Sequence, residues 1–145
     1  MAEDARADCR FCQIAAGSVA AELVIDESRV VAFLDRRPVF KGHVLLIPRS
    51  HVETLTDLPL GLMEPLMEAA QRLAAAVRDG LGAKGSFVAM NNVVSQSVPH
   101  LHVHVVPRTK GDGLRGFFWP RTKYASEQEM EEYAGRLRDA LAAPR

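Results

Sequence analysis

The chain has 145 residues, of which 48% are hydrophobic and 25% charged, and its 18 basic residues balance its 18 acidic residues. This composition predicts one globular domain over residues 1–145 and argues against non-specific binding to nucleic acid or to a membrane surface. Local basic clusters such as Arg36-Arg37 could still meet phosphate. The charged N-terminus does not predict a secretory signal and no apolar run could cross a bilayer, so we expect a cytoplasmic protein.

The first half of the chain predicts a short helix and three strands. The helix covers Cys9–Ala16 and stops at Gly17. Two strands, Glu22–Asp26 and Arg29–Asp35, are separated by a short turn and therefore predict a β-hairpin. A loop follows, and His43–Pro48 then predicts a buried strand.

The second half predicts a long helix, two more strands and a last helix. Apolar residues, Met67 among them, recur at helical spacing over about Leu62–Leu81, which predicts that they face a core. Ser86–Asn92 predicts the fourth strand, His100–Val106 the fifth, and a capping box at Ser126 the start of the last helix. Short connections between the strands predict an α+β domain, with a mostly antiparallel five-stranded sheet covered by helices.

Three histidines occupy alternate positions of the fifth strand, in the run His100-Leu-His102-Val-His104-Val-Val. Strand side chains alternate between two faces, so the rings share one face while the aliphatic residues between them face a core. Such a row suits nucleophilic catalysis with proton transfer, joint binding of a metal ion, or a surface face without chemistry. Three of the five histidines of the chain gather here, which disfavours the last reading and leaves the other two open.

Cys9 and Cys12 form a Cys-x-x-Cys motif within the first predicted helix. A redox dithiol normally follows a strand in a βαβ unit, which the sequence does not predict, and two buried cysteines would have no chemical role. A cytoplasmic chain does not favour a disulfide between them. We favour a zinc site, which needs two more nitrogen or sulfur ligands, and His51 and His100 are the candidates.

The histidine strand resembles the signature of the histidine-triad (HIT) family of nucleotide hydrolases and transferases. Residues 32–38 (Ala-Phe-Leu-Asp-Arg-Arg-Pro), 42–48 (Gly-His-Val-Leu-Leu-Ile-Pro) and 96–98 (Gln-Ser-Val) resemble other blocks of that family, in the family's order. The resemblance covers about residues 9–108, the core of a HIT-like fold, and leaves residues 109–145 as an extension. It implies attack on the α-phosphate of a nucleotide through a covalent nucleotidyl-histidine intermediate.

The resemblance also implies a role for individual residues. His102, the middle histidine, would attack phosphorus, while His104 would contact phosphate and assist the leaving group, and His43 would lie beside the α-phosphate. The remaining site residues would be Gln96, Ser97 and Asn91 at the phosphate oxygens, Asp35 at the ribose hydroxyls, and Phe11, Ile14, Val19 and Phe33 around the base.

Some bacterial members of the family, which this chain resembles, carry a structural zinc ion. The ligands in those members are two cysteines, the histidine after the third strand and the first triad histidine. By that resemblance Cys9, Cys12, His51 and His100 would bind zinc, and the closed site would leave no position for water. Magnesium is a further candidate cofactor.

The expected substrate is an adenine nucleotide, because the extension resembles the branch of the family that cleaves dinucleoside polyphosphates. Diadenosine tri- or tetraphosphate is therefore the first candidate, and a purine nucleoside phosphoramidase that cleaves adenosine 5′-phosphoramidate is the alternative. Two rivals are a three-histidine metallohydrolase and a nucleotide-binding module without turnover. Lys110, Arg115 and Arg121 could meet a polyphosphate, and Trp119 could stack on a second base. The family also implies a homodimer through the long helix and a sheet edge.

Overall fold

The computed structural model describes residues 5–114 and 121–144. The chain divides into two units, one that ends at Asp112 and one that begins at Gly113. Arg115 and Trp119 lie outside the described residues, and their suggested contacts with substrate stay predictions. The first unit contains helices α1 (Arg10–Ala15) and α2 (Leu60–Leu81) and strands β1 (Leu23–Asp26), β2 (Val30–Leu34), β3 (Val44–Pro48), β4 (Gly85–Ala89) and β5 (Val103–Arg108).

The five strands form one sheet in the order β1-β2-β3-β5-β4, and every neighbouring pair is antiparallel. This confirms the predicted α+β architecture. The predicted hairpin is present, because β1 and β2 pair directly across the turn that follows Asp26. All five residues of the central strand β3 are buried, as expected for a strand covered on both faces. Strands β1 and β4 form the two edges of the sheet.

Two apolar clusters cover the two faces of the sheet. On one face, buried residues of α2 at helical spacing pack with Leu101, Val103 and Val105. On the other face, α1 packs against alternate residues of β2 and β3. The predicted alternation of the histidine segment is therefore confirmed, because its aliphatic residues face α2 while His102 contacts Phe11 of α1.

Helix α2 begins two residues earlier than predicted and ends where Gly82 adopts a left-handed conformation (φ 72°). The prediction that Met67 faces a core is wrong, since this residue is 61% exposed. Its neighbours Leu66 and Ala70 are buried instead. Met67 lies beside Val88 of the edge strand β4, in a groove that no described residue fills.

The paired part of the histidine strand begins later than predicted, at Val103 rather than His100. Before Val103 the backbone forms hydrogen bonds outside the sheet: the amide of Leu101 donates to the carbonyl of Val52 at 2.6 Å. His100 and His102 therefore lie just beyond the end of the sheet ladder. This position lets their side chains meet segments from outside the sheet.

Helix α3 (Glu127–Ala142) belongs to the second unit, and the Ser126 side chain accepts from the amide of Glu129 at its start, as predicted. None of its described side chains is buried, and its apolar stripe is exposed at Met130, Tyr133, Leu137 and Leu141. The expectation that this helix covers the sheet stays a prediction. No helix in the described part of the chain has the length and apolar character needed to cross a membrane. The cytoplasmic location also stays a prediction.

Replacing Gly42 by alanine is expected to lower the free energy of unfolding by about 1–3 kcal/mol. Gly42 has φ +95°, which alanine adopts only with strain, and an added Cβ would collide with the side chain of Leu81. Urea denaturation measures the effect. Gly61→Ala is the matched control, because nothing lies within 4 Å of a Cβ at that helical position. Equal unfolding midpoints for Gly42→Ala and the unmodified protein would contradict this account.

Candidate active site and metal cluster

One ring nitrogen of His102 is hydrogen-bonded to the backbone. Its Nδ1 lies 2.8 Å from the carbonyl oxygen of His100. A carbonyl oxygen can only accept, so Nδ1 carries the proton and Nε2 keeps a lone pair. The edge-to-face contact with Phe11, at 5.1 Å between ring centroids, also holds the ring in place. The ring lines a cavity, and this tautomer leaves Nε2 to act as a nucleophile.

His43 and His104 form a second, linked pair. The amide of Val39 donates to Nδ1 of His43 at 3.1 Å, so the proton of this ring is on Nε2. That Nε2 lies 2.9 Å from Nδ1 of His104 and donates to it. His104 must therefore carry its own proton on Nε2. Since the rings of His102 and His104 are 5.0 Å apart, a nucleophile stands beside a hydrogen-bond donor.

Burial keeps this pair of rings uncharged. The pKa of His104 is lowered to about 4, chiefly by burial and also by the positive charge that His102 and His43 would carry when protonated, while Asp35 acts in the opposite direction. Burial likewise lowers the pKa of His43, although Asp35, whose Oδ2 is 3.8 Å from Nδ1 of His43, acts in the other direction. Both rings are neutral at pH 7, as the hydrogen-bond chain from Val39 requires.

The cavity beside these histidines has a volume of about 560 Å³, which is in the range of small-molecule sites. Its wall carries His102, His104 and Ser97 together with apolar side chains and Asp35. The structure thus brings together seven of the predicted site residues, namely Phe11, Ile14, Phe33, Asp35, Ser97, His102 and His104. Three arginines also lie on the wall: Arg36 and Arg37, which the sequence indicated only as a basic cluster able to bind phosphate, and Arg10, which was not predicted.

Two other predicted site residues lie close to the cavity but not on its wall. Val19 packs against the α1 cluster. His43 is 3% exposed and reaches the cavity only through its bond to His104. A direct contact of either residue with a nucleotide stays a prediction.

The side chains of Asn91 and Gln96 hold the loop that precedes the histidine segment. Gln96 donates from Nε2 to the carbonyl of Glu53 at 2.6 Å and accepts at Oε1 from the amide of Val93 at 2.9 Å. Asn91 donates to the carbonyl of Ser95 at 3.3 Å. Both amides are therefore occupied within the protein, and neither residue lines the cavity. Their predicted contacts with phosphate oxygens stay predictions.

Sequence reasoning missed Asn92, which ties this loop to the segment before α2. Its Oδ1 accepts from the amide of Leu55 at 2.7 Å. The loop needs such support because Val93 and Ser95 have positive φ values of 69° and 61°. A pair of adjacent asparagines before a polar segment was the only signal in the sequence, and it did not specify the partner.

The four candidate metal ligands, Cys9, Cys12, His51 and His100, converge, with their ligand atoms within 4.8 Å of one another. His100 donates from Nε2 to the carbonyl of Pro48 at 2.9 Å, so its Nδ1 lone pair faces the cysteine sulfurs at 3.4 and 3.5 Å. Nδ1 of His51 is 3.3 Å from Sγ of Cys12. A tetrahedral zinc site separates sulfur and nitrogen ligands by about 3.6 Å. The cluster therefore fits zinc in both its donor atoms and its spacing.

His51 and Cys12 are two cluster residues with unusual surroundings. Nε2 of His51 has no hydrogen-bond partner among the described residues, and the nearest carboxylate oxygen, on Glu53, is 4.0 Å away. Burial raises the pKa of the Cys12 thiol, an effect that a bound cation would reverse. Magnesium gains no support, because it prefers oxygen ligands and this cluster offers sulfur and nitrogen.

The hydrogen-bond pattern predicts which nitrogen of each ring is protonated. At pH 8, nitrogen-15 NMR should show His43 and His104 protonated on Nε2, and His102 on Nδ1. On lowering the pH to 5, His104 should remain neutral, because its pKa is about 4. A pKa below the ordinary 6.5 means that stability from this ring is complete above pH 6.5 and falls as the pH drops toward 4. Protonation of His104 near pH 6.5 would contradict the assignment.

Comparison with known proteins agrees with this geometry. The family profile described as HIT domain matches residues 16–111. The relative "Protein hit" of Bacillus subtilis is 38% identical over 139 residues, which cover 94% of this chain and 96% of that protein. "Adenosine 5'-monophosphoramidase HNT1" of Saccharomyces cerevisiae is 32% identical, over 94% of this chain and 82% of that protein.

One solved structure with a similar fold is described as zinc-bound. The crystal structure described as a Zn-bound histidine triad family protein from Mycobacterium smegmatis is 34% identical. It matches with a TM-score of 0.71 over 92% of this chain and 97% of that one. The profile, the relatives and the fold agree, and the chain therefore belongs to the histidine-triad (HIT) family of nucleotide-binding hydrolases and transferases.

Proposed function

We propose that this protein cleaves nucleotides at the α-phosphate and that Nε2 of His102 forms a covalent bond to that phosphorus. The observation that carries the proposal is the hydrogen bond from Nδ1 of His102 to the carbonyl of His100, which leaves the Nε2 lone pair free. Neutral His104, with its proton on Nε2, stands 5.0 Å away between ring centroids. A nucleophile and a donor side by side suit transfer of a nucleotidyl group.

The reaction follows in two steps. In the first, the Nε2 lone pair of His102 forms a bond to the α-phosphorus, and the leaving group departs with the electron pair of the bond that breaks. In the second, water attacks the phosphorus, the nitrogen–phosphorus bond returns its electron pair to Nε2, and the proton of the water passes to solvent. His104 supports both steps, because its Nε2–H stabilises negative charge on the phosphoryl oxygens and the leaving group.

Two leaving groups compete for this site. Diadenosine tri- or tetraphosphate is the first candidate, on the resemblance of the extension after Arg108 to the polyphosphate branch. Adenosine 5′-phosphoramidate is the second, because a relative that matches 94% of this chain is named as an adenosine 5′-monophosphoramidase. A panel of diadenosine polyphosphates and adenosine phosphoramidates, compared by kcat/KM, decides between them. A failure to release AMP from every member would overturn the proposal.

The geometry counts against the three-histidine metallohydrolase. Nδ1 of His100 faces two cysteine sulfurs on one side of the segment, while Nδ1 of His102 is bonded to a carbonyl. The three triad rings therefore do not converge on one ion. The remaining rival, a binding module without turnover, predicts no covalent adduct, and capture of labelled AMP on His102 would exclude it.

We also propose that Cys9, Cys12, His51 and His100 bind a structural zinc ion. Such an ion would join α1 to the end of β3 and to the start of the histidine segment, and it would leave no ligand position for substrate. The site matters for catalysis because His100 also supplies the carbonyl that orients His102. The support comes from the donor geometry and from the zinc-bound structural relative.

We further propose a homodimer formed through the exposed groove between α2 and β4. This groove of about 680 Å³ is mostly apolar, and it is lined by Glu64, Met67, Glu68, Ala70, Gln71, Ala74 and Val88. Strand β4 is an edge of the sheet, and a strand edge can pair with a second copy. Sedimentation should give twice the 15.9 kDa chain mass, and Met67→Glu should shift it toward the monomer. Leu60→Glu, at a 73% exposed position outside the groove, is the control. A single species near the chain mass at micromolar concentration would contradict the dimer.

A further inference from the structure

Three arginines on the wall of the active-site cavity have no role in the reaction described above. Arg10 precedes Phe11 on α1, and Arg36 and Arg37 follow Asp35 directly after β2. Each side chain is exposed, and all three line the cavity that holds His102 and His104. Their position on the cavity wall makes them available to bind a ligand.

Their charge is not neutralised within the described residues. The ion pairs found there engage other arginines, namely Arg6, Arg49, Arg72, Arg78 and Arg108. Among the described residues, Asp35 is the one carboxylate on the cavity wall. Its Oδ1 accepts from the backbone amide of Arg37 at 2.9 Å and so fixes the turn that carries both arginines. Glu22, in an adjoining groove, flanks Arg36. Three positive charges still exceed the negative charge on this wall.

These positive charges neighbour, along the chain, wall residues that the family resemblance assigns to the nucleoside. The arginines belong to the same two segments as the apolar wall of the cavity, since α1 also carries Phe11 and Ile14 and β2 carries Phe33. His102, His104 and Ser97 come from other segments, and Phe11 contacts His102 at 5.1 Å between ring centroids. The excess positive charge is therefore carried by residues adjacent in sequence to Phe11 and Asp35, where the resemblance puts the base and the ribose.

We propose that Arg10, Arg36 and Arg37 form an anion subsite for a phosphate on the 2′- or 3′-hydroxyl of the ribose. This inference rests on the proposed function and adds a substrate class, adenine nucleotides that carry a ribose phosphate besides the 5′-phosphate. Guanidinium groups bind phosphate through paired hydrogen bonds. In dinucleotide-binding sites, an acidic residue selects free ribose hydroxyls and a nearby arginine accommodates a 2′-phosphate. Here three arginines offset the repulsion from Asp35.

Calorimetric titration of the unmodified protein tests the subsite with four ligands: AMP, ADP, adenosine 2′,5′-bisphosphate and adenosine 3′,5′-bisphosphate. We expect one bisphosphate to bind at least about tenfold tighter than AMP at low salt, with a smaller advantage at high salt because exposed charges are screened. In the double variant Arg36→Gln, Arg37→Gln, the affinity ratio of bisphosphate to AMP should fall to about one. Arg29→Gln, at an exposed arginine in a separate groove, should keep the ratio.

Each other outcome has a distinct meaning. If both bisphosphates bind no tighter than AMP, or if the double variant keeps the advantage, the subsite is overturned while AMP binding still supports the proposed function. If ADP gains the affinity instead and the double variant loses it, the arginines meet the 5′ phosphate chain and the ribose placement is wrong. If AMP itself does not bind, the proposed function fails and the subsite with it.

Discussion

His102→Ala is expected to lower kcat/KM by roughly 10⁴-fold or more, because loss of a nucleophile removes the covalent route altogether. Rapid-quench experiments with a labelled nucleotide should trap an AMP–protein adduct in the unmodified protein and none in the variant. The fold should survive, because the ring lies beside an open cavity, and thermal unfolding checks this. Full turnover by His102→Ala would end the nucleophile assignment.

His104→Asn is the matched comparison for this experiment. Asparagine removes the imidazole Nε2–H but leaves the nucleophile, so a smaller loss of roughly 10²–10³-fold is expected. The adduct should still form, more slowly. Equal losses in the two variants, with no adduct in either, would contradict the separate roles that the tautomers assign to these rings.

Removal of the zinc ligands is expected to have the largest effect on stability. The double variant Cys9→Ser, Cys12→Ser should lose about 3–5 kcal/mol of unfolding free energy, as is typical when a buried site loses its metal. At this chain length that corresponds to a fall in Tm of roughly 10 °C or more. The physical reason is that α1 has only six residues and is too short to persist without its link to the sheet.

Metal analysis and a control variant complete this test. The purified protein should contain about one zinc per chain, and the double variant little. Ser50→Ala, next to a proposed ligand but without a ligand atom in the cluster, should keep both zinc and stability. Less than half an equivalent of zinc, or an unchanged Tm in the cysteine variant, would contradict the site. With a chelator, activity should fall only as fast as the protein unfolds around its structural zinc. A metallohydrolase would lose activity at once, because its catalytic metal would be removed.

The sequence pattern alone predicted the features that depend on residues close together along the chain. Alternation placed Leu101, Val103 and Val105 in the core and the histidines on the opposite face, because strand geometry has a period of two. A short turn predicted the β1–β2 hairpin for a similar local reason. The Cys-x-x-Cys motif likewise pointed to zinc, because its spacing already brings two ligands together.

Packing between distant segments decided the rest. Nε2 of His43 bonds to His104, 61 positions along the chain, and the tautomers follow from that bond and from the carbonyl of His100. The side chain of Gln96 bonded to the carbonyl of Glu53, and Met67 faced an open groove instead of a core. A helical or strand period specifies which face a residue occupies, but not whether another segment covers that face. Chemistry at this site depends on which nitrogen holds a proton, and only the three-dimensional contacts of the rings determine that.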